Sequence, residues 1–227
     1  MTAVELIPLA LLGALLGLDV VSFPQAMVSR PVVAATLAGA LVGRPAHGLI
    51  AGAVLELFAL ETLPFGASRY PEWGSAGVVG GALYAVQPSG SPGALCVAVC
   101  ASLITASVSG WSMVLHRRLI AHWAGGLRDA LAAGSSGAVT SLQLRGLTSD
   151  AARGGAVTWL ALFVLVPIGR AVLDDWSFSA PVTRAVVVIC AGAVAGSAIW
   201  KIVHTTKGAP WFLLGGLVAG ATLLLVT

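Results

Sequence analysis

In the stretch GLIAGAVLELFALETLPFGASRYPEWGSAG, residues 48–77, two carboxylates, Glu56 and Glu61, stand in the apolar run that precedes its Pro-rich loop. A charged side chain at the centre of a membrane helix costs roughly 2.5–3.5 kcal/mol on insertion scales. Such a residue persists where it faces protein, water or a ligand, and Glu56, inside the apolar run, is the first candidate. Glu61 is nearer the following loop, where water can reach it. A second polar group lies upstream in DVVSFPQAMVSRPVV, which carries Asp19, Gln25, Ser29 and Arg30. A Gln amide both donates and accepts hydrogen bonds. Beside a carboxylate it suits a sugar, whose hydroxyls also do both. Arg30 would pair with Asp19 or with Glu56 and keep such a site near neutral. The competing reading makes Glu56 a structural acid paired with a neighbouring helix, and the others interfacial polar residues.

Other arrangements are poorer in chemistry. The loop LPFGASRYPEWGSAG adds Arg69, Tyr70, Glu72 and Trp73. Its aromatic rings suit a sugar face, but anchoring at a membrane interface is the commoner use. Ser112 and His116 are four apart, yet no acid stands near in sequence to orient the imidazole. His47, His116, His122 and His204 are scattered without metal-ligand spacing. Cys96 and Cys100 share a helix face, but no neighbouring His or acid completes a metal site, so these and Cys190 read as small thiols. There is no phosphate-binding glycine loop and no dinucleotide fingerprint. The residues imply no cofactor, and any covalent chemistry would come from another chain.

The elements that must position these residues are set by composition. The chain has 227 residues, of which 58% are hydrophobic and 9% charged, and its mean hydropathy is +0.96. Soluble domains carry about 25% charged residues. A surface this poor in charge would expose large apolar patches to water, so lipid is the solvent for most of the chain. Apolar stretches near 3–22, 75–88, 93–115, 155–173, 184–203 and 209–226 are candidate spans, each judged against the ~20 residues that crossing requires. The first lacks the basic flank of a signal peptide and is expected to be a retained span.

Between the first two spans lie 31–43 and 46–60, two short apolar runs split by Arg44-Pro45. They predict a short helical hairpin over about 31–60, with Pro45 in the first turn of its second arm. Short paired segments of this kind often line a site, and two tilted ordinary spans are the alternative. Glycines four apart, at Gly13/Gly17, Gly39/Gly43, Gly48/Gly52, Gly77/Gly81, Gly192/Gly196 and Gly216/Gly220, predict close helix packing. Residues 116–153 hold five of the twelve basic residues. Leu119, Trp123, Leu127 and Leu131 form one stripe there, predicting an interfacial amphipathic helix over about 116–150 and then a polar connector. The positive-inside tendency puts this segment, with Lys201 and Lys207, on the cytoplasmic side and the Asp174-Asp175 loop on the other. The expectation is one all-α, polytopic membrane-embedded domain over residues 1–227, with no basic patch for nucleic acid.

The stretch QAMVSRPVVAATLAGALVGRPAHGLIAGAVLELFAL, continued by LPFGASRYPEWGSAG, resembles the IIC membrane component of the mannose/fructose/sorbose family of phosphoenolpyruvate-dependent sugar phosphotransferase systems. The likeness rests on S-R-P before a Gly-rich hairpin, then G-x-x-x-E-L, then G-A-x-x-x-P-E, over about residues 13–80. It implies a multi-pass protein of the inner (plasma) membrane that binds a sugar and moves it across. It also implies a IID-like membrane subunit, a IIB-like cytoplasmic phosphocarrier and an oligomeric assembly. The phosphoryl transfer would belong to the partner chains, and this chain would be their non-catalytic translocating subunit. The family's polar sugar positions would fall near Gln25 and Glu56, and also Asp19 and Arg30. The family usually carries Pro-Asp where this chain has Pro71-Glu72, and small or neutral residues near Glu61. Two other readings keep their place beside this one: a stand-alone proton- or ion-coupled transporter with Glu56 as carrier, and an assembly subunit whose polar residues merely pack.

Overall fold

The computed structural model describes residues 2–19, 22–60, 70–87 and 92–204, with 208, 211, 214, 215 and 218. Among the described residues the secondary structure is wholly helical: α1 (Ile7–Asp19), α2 (Pro31–Leu41), α3 (Pro45–Ala59), α4 (Trp73–Val86), α5 (Pro92–Gly126), α6 (Arg128–Ala132), α7 (Ser136–Asp174) and α8 (Ala180–Val203). The candidate span at 209–226, Glu61, Arg69 and Lys207 fall largely or wholly outside the described residues.

Local chemistry explains where the helices begin. Proline opens α2 and α3, where its missing N–H lies among the first-turn donors that have no partner inside the helix. The Glu72 carboxylate caps α4 and the Ser135 hydroxyl caps α7, each accepting from a backbone N–H in the first turn. The predicted hairpin is present as α2 and α3, and its turn uses Gly43 at φ +84°, a conformation other residues rarely adopt. At 11 and 15 residues these arms are about 16 and 22 Å long, short of a ~30 Å hydrocarbon core.

Small residues bring the helices together. A Cβ at Gly48 would lie 2.2 Å from the Ala35 carbonyl oxygen, and one at Gly81 would lie 2.3 Å from the same atom. The backbones of α2, α3 and α4 therefore meet with no room for side chains. On α1, Gly13 makes room for the Thr158 side chain of α7, and Gly17 lets the Gly154 backbone approach. The Gly192 and Gly196 pair differs: among the described residues, a Cβ at either meets nothing within 4 Å. Every residue of α4 from Gly74 to Ala85 is buried. This helix is the axis of the bundle, with α1, α2, α3, α5 and α7 packed around it and α8 lying against α3 and α5.

The segment 116–150 is helical, as its stripe predicted, but it is not a separate helix. Its first part prolongs α5 to Gly126, α6 turns the chain, and its last part opens α7. No Pro or Gly interrupts the backbone between Gly110 and Gly125, so nothing stops the helix where the hydrophobic span ends. The helices α5 and α7, 35 and 39 residues long, reach about 52 and 58 Å and outrun a ~30 Å hydrocarbon core. Together with α8 they are the helices long and apolar enough to cross a membrane among the described residues.

Candidate functional site

The helix directions gather the predicted polar residues at one end of the bundle. Asp19 ends α1, Arg30 precedes α2, and Glu56 lies in the last turn of α3. Glu56 and Arg30 form an ion pair: Arg30 Nε donates to Glu56 Oε1 at 2.5 Å, and Nη2 reaches the same oxygen. The other Glu56 oxygen accepts from the Val32 N–H at 3.1 Å, in the first turn of α2. The side chains keep 32% and 23% exposure, for Arg30 and Glu56 respectively, so the pair remains open to a visiting molecule. Of the two partners expected for Arg30, the structure selects Glu56.

Asp19 is 2% exposed and serves the loop. Its carboxylate accepts from the Ala26 N–H at 2.7 Å and the Ser29 N–H at 2.9 Å. Gln25 is exposed, one residue before the first of these anchors. Its φ of 59°, like the 61° of Met27, lies in the left-handed region that non-glycine residues enter at a cost. Such a conformation persists where surrounding contacts over-determine it, and the Asp19 bonds are part of that frame. Thus Asp19 organises the segment that carries Gln25, while Arg30 and Glu56 form the charged pair beside it. Two cavities open at the opposite end of the bundle: one of about 490 Å³ with Glu5 and Arg44 in its wall, one of about 270 Å³ with Arg170. Neither is lined by the four predicted residues.

A second polar cluster was not legible in the sequence. Glu72 is fully buried, accepting from the Ser75 N–H at 3.1 Å and the Ser109 hydroxyl at 2.6 Å. Arg153 Nη1 donates to the Ser109 and Ser112 hydroxyls, each at 3.1 Å. Arg153 Nε donates to Asp150 Oδ1 at 2.8 Å, and Asp150 is 1% exposed. Ser22, at the start of the loop, donates to Asp150 Oδ2 at 2.5 Å. Asp150 also supplies the acid that sequence proximity lacked for His116, with His116 Nδ1 at 3.7 Å. The Ser112–His116 pair is nevertheless no nucleophile and base: His116 Nε2 meets Ser149 at 2.8 Å, and Ser112 donates to the Ser109 carbonyl. Nor does the Tyr70 ring serve as an interfacial anchor, and the loop acid Glu72 is turned inward with it. Both are buried, and Tyr70 accepts from Arg117 Nη2 at 2.8 Å. The sequence held one faint signal for this cluster, an Asp and Arg three apart on the polar side of the span beginning at 155.

The described residues contain no group of three metal-ligating side chains. The chemistry on view is that of donors and acceptors held at the end of short membrane helices, and it forms no covalent bond by itself. A bundle of long apolar helices around a short, buried one, with a polar loop at one end, defines a multi-pass membrane protein. The chain belongs to the EII-Sor family, the sorbose-specific IIC components of the PTS system, whose pattern matches residues 3–226. It is thus a sugar-phosphotransferase IIC membrane component. Two solved structures share the fold. One, described only as a membrane protein, superposes with a TM-score of 0.75 at 18% identity, over 97% of this chain and 87% of the other. The second is the mannose transporter ManYZ in complex with microcin E492, with a TM-score of 0.61 at 17% identity over the same shares. No curated protein matches the chain.

Proposed function

We propose that this chain binds a hexose among Glu56, Arg30, Gln25 and Asp19 at mid-membrane and passes it inward for phosphorylation by a IIB-like partner. A IID-like membrane subunit completes the path, the working unit is an oligomer, and its place is the inner (plasma) membrane. One observation carries the reading: the Arg30–Glu56 pair stands part-exposed at the ends of helices too short to span, beside a loop held in a costly conformation. A guanidinium offers donors and a carboxylate offers acceptors. A sugar hydroxyl needs both, and the Gln25 amide supplies both at once. Asp19 shapes the loop and need not touch the sugar.

The test is sugar uptake by the whole complex in membrane vesicles with phosphoenolpyruvate and the soluble phosphocarriers. Glu56→Gln should raise the half-saturating concentration of labelled sorbose or mannose by about tenfold, the scale of one hydrogen bond to a charged group. Uptake by the purified chain alone, driven by a proton gradient, would replace this reading with the coupled-transporter one.

A further inference from the structure

The sugar loop is tied to the bundle at two places, and one tie comes from a distant helix. Asp19, on the loop's own helix, holds its far half through the N–H groups of Ala26 and Ser29. Its near end is held by Asp150, on α7 and 128 residues away in sequence, through the Ser22 hydroxyl at 2.5 Å. Asp150 does not need Ser22 for charge balance. Its other oxygen already takes Arg153 Nε at 2.8 Å, and Arg153 is itself fixed by Ser109 and Ser112 of α5. The Asp150–Arg153 unit is therefore anchored in the long helices whether or not the loop is attached. Between the two ties lie Gln25 and Met27 in the left-handed region, a state that a slack loop would leave.

We propose that Asp150 is a positioning residue for sugar binding: it registers the α1–α2 loop, and with it Gln25, against α7. The proposal rests on the reading that this loop and Glu56 meet the sugar. Asp150 touches no sugar itself. Arg153 aligns Asp150, and Ser22 transmits its position. The long helix α7 serves as the fixed reference, and the loop is the part whose placement decides affinity.

Ser22→Ala is the cleanest test, because Ser22 is exposed and its loss leaves the buried Asp150–Arg153 pair intact. In the whole complex, hydrogen exchange of the 22–30 segment should quicken by about tenfold, the effect of losing one hydrogen bond to a carboxylate. The half-saturating concentration of labelled sorbose or mannose should rise by a similar factor, with the maximal rate nearly unchanged. Ser22→Thr, which keeps the hydroxyl, should restore both. A merely structural Ser22 would lower the melting temperature without moving half-saturation. Unchanged half-saturation in Ser22→Ala, beside weakened uptake in Glu56→Gln, overturns the positioning role alone. Unchanged half-saturation in both variants overturns the sugar-site reading and the positioning role with it.

Discussion

Two polar regions lie at the same end of this bundle and are built on opposite terms. The Arg30–Glu56 pair is part-exposed, with one side chain from the α1–α2 loop and one from α3. The Glu72–Ser109–Arg153–Asp150 chain is almost wholly buried and draws on α4, α5 and α7. An exposed pair can exchange its partner for a ligand because water and hydroxyls compete on similar terms. A buried pair cannot, since removing one member leaves the other charge without solvent. The difference separates a region open to exchange from one that ties the long helices together.

Breaking the buried region should have the largest effect. Arg153→Ala would leave Asp150 without its guanidinium in a dry site and should destabilise the protein by about 3–5 kcal/mol. A thermal melt of the detergent-solubilised protein reads this, and a melt like the parent's would erase the contrast between the regions. Next in size is Gly48→Ala, whose new methyl would sit 2.2 Å from the Ala35 carbonyl oxygen. It should cost roughly 1–3 kcal/mol by forcing α2 and α3 apart. Gly192→Ala, with nothing within 4 Å among the described residues, should leave the melt unchanged or slightly raise it.

Glu72→Gln should cost about 1–2 kcal/mol, because the amide caps α4 and holds Ser109 less well than the carboxylate does. Among the polar residues the smallest effect on stability belongs to Glu56→Gln. A part-exposed pair contributes no more than about 1 kcal/mol, so the melt should barely move while sugar half-saturation rises. That split between stability and uptake is the sharpest form of the comparison. A large loss of stability in Glu56→Gln would move this pair into the structural class with Asp150.

Much of the architecture could be read along the chain because its causes are local. The hairpin at 31–60 followed from two short apolar runs around Arg44-Pro45, and Pro45 does open α3. Glycine spacing anticipated close packing at Gly48/Gly52 and Gly77/Gly81, but the same spacing at Gly192/Gly196 meets no neighbour among the described residues. Spacing records what a helix face permits, and contact requires a second surface. The amphipathic stripe at 116–150 marked a helix correctly and its independence incorrectly, since hydropathy registers a change of surroundings and not a break in the backbone.

Composition determined that lipid solvates most of the chain, because 58% hydrophobic residues with 9% charged leave few alternatives in water, and the apolar run lengths made the fold helical. Glu56 stood out as a charge inside an apolar run, and Asp19, Gln25 and Arg30 as a polar stretch between two such runs. Only the tertiary structure decided that Arg30 pairs with Glu56, that Asp19 serves backbone amides, and that Asp150 reaches Ser22. The reason is distance along the chain. Partners 26 and 128 residues apart leave no periodic trace, and their meeting depends on which helices pack together and how closely their glycines let them approach.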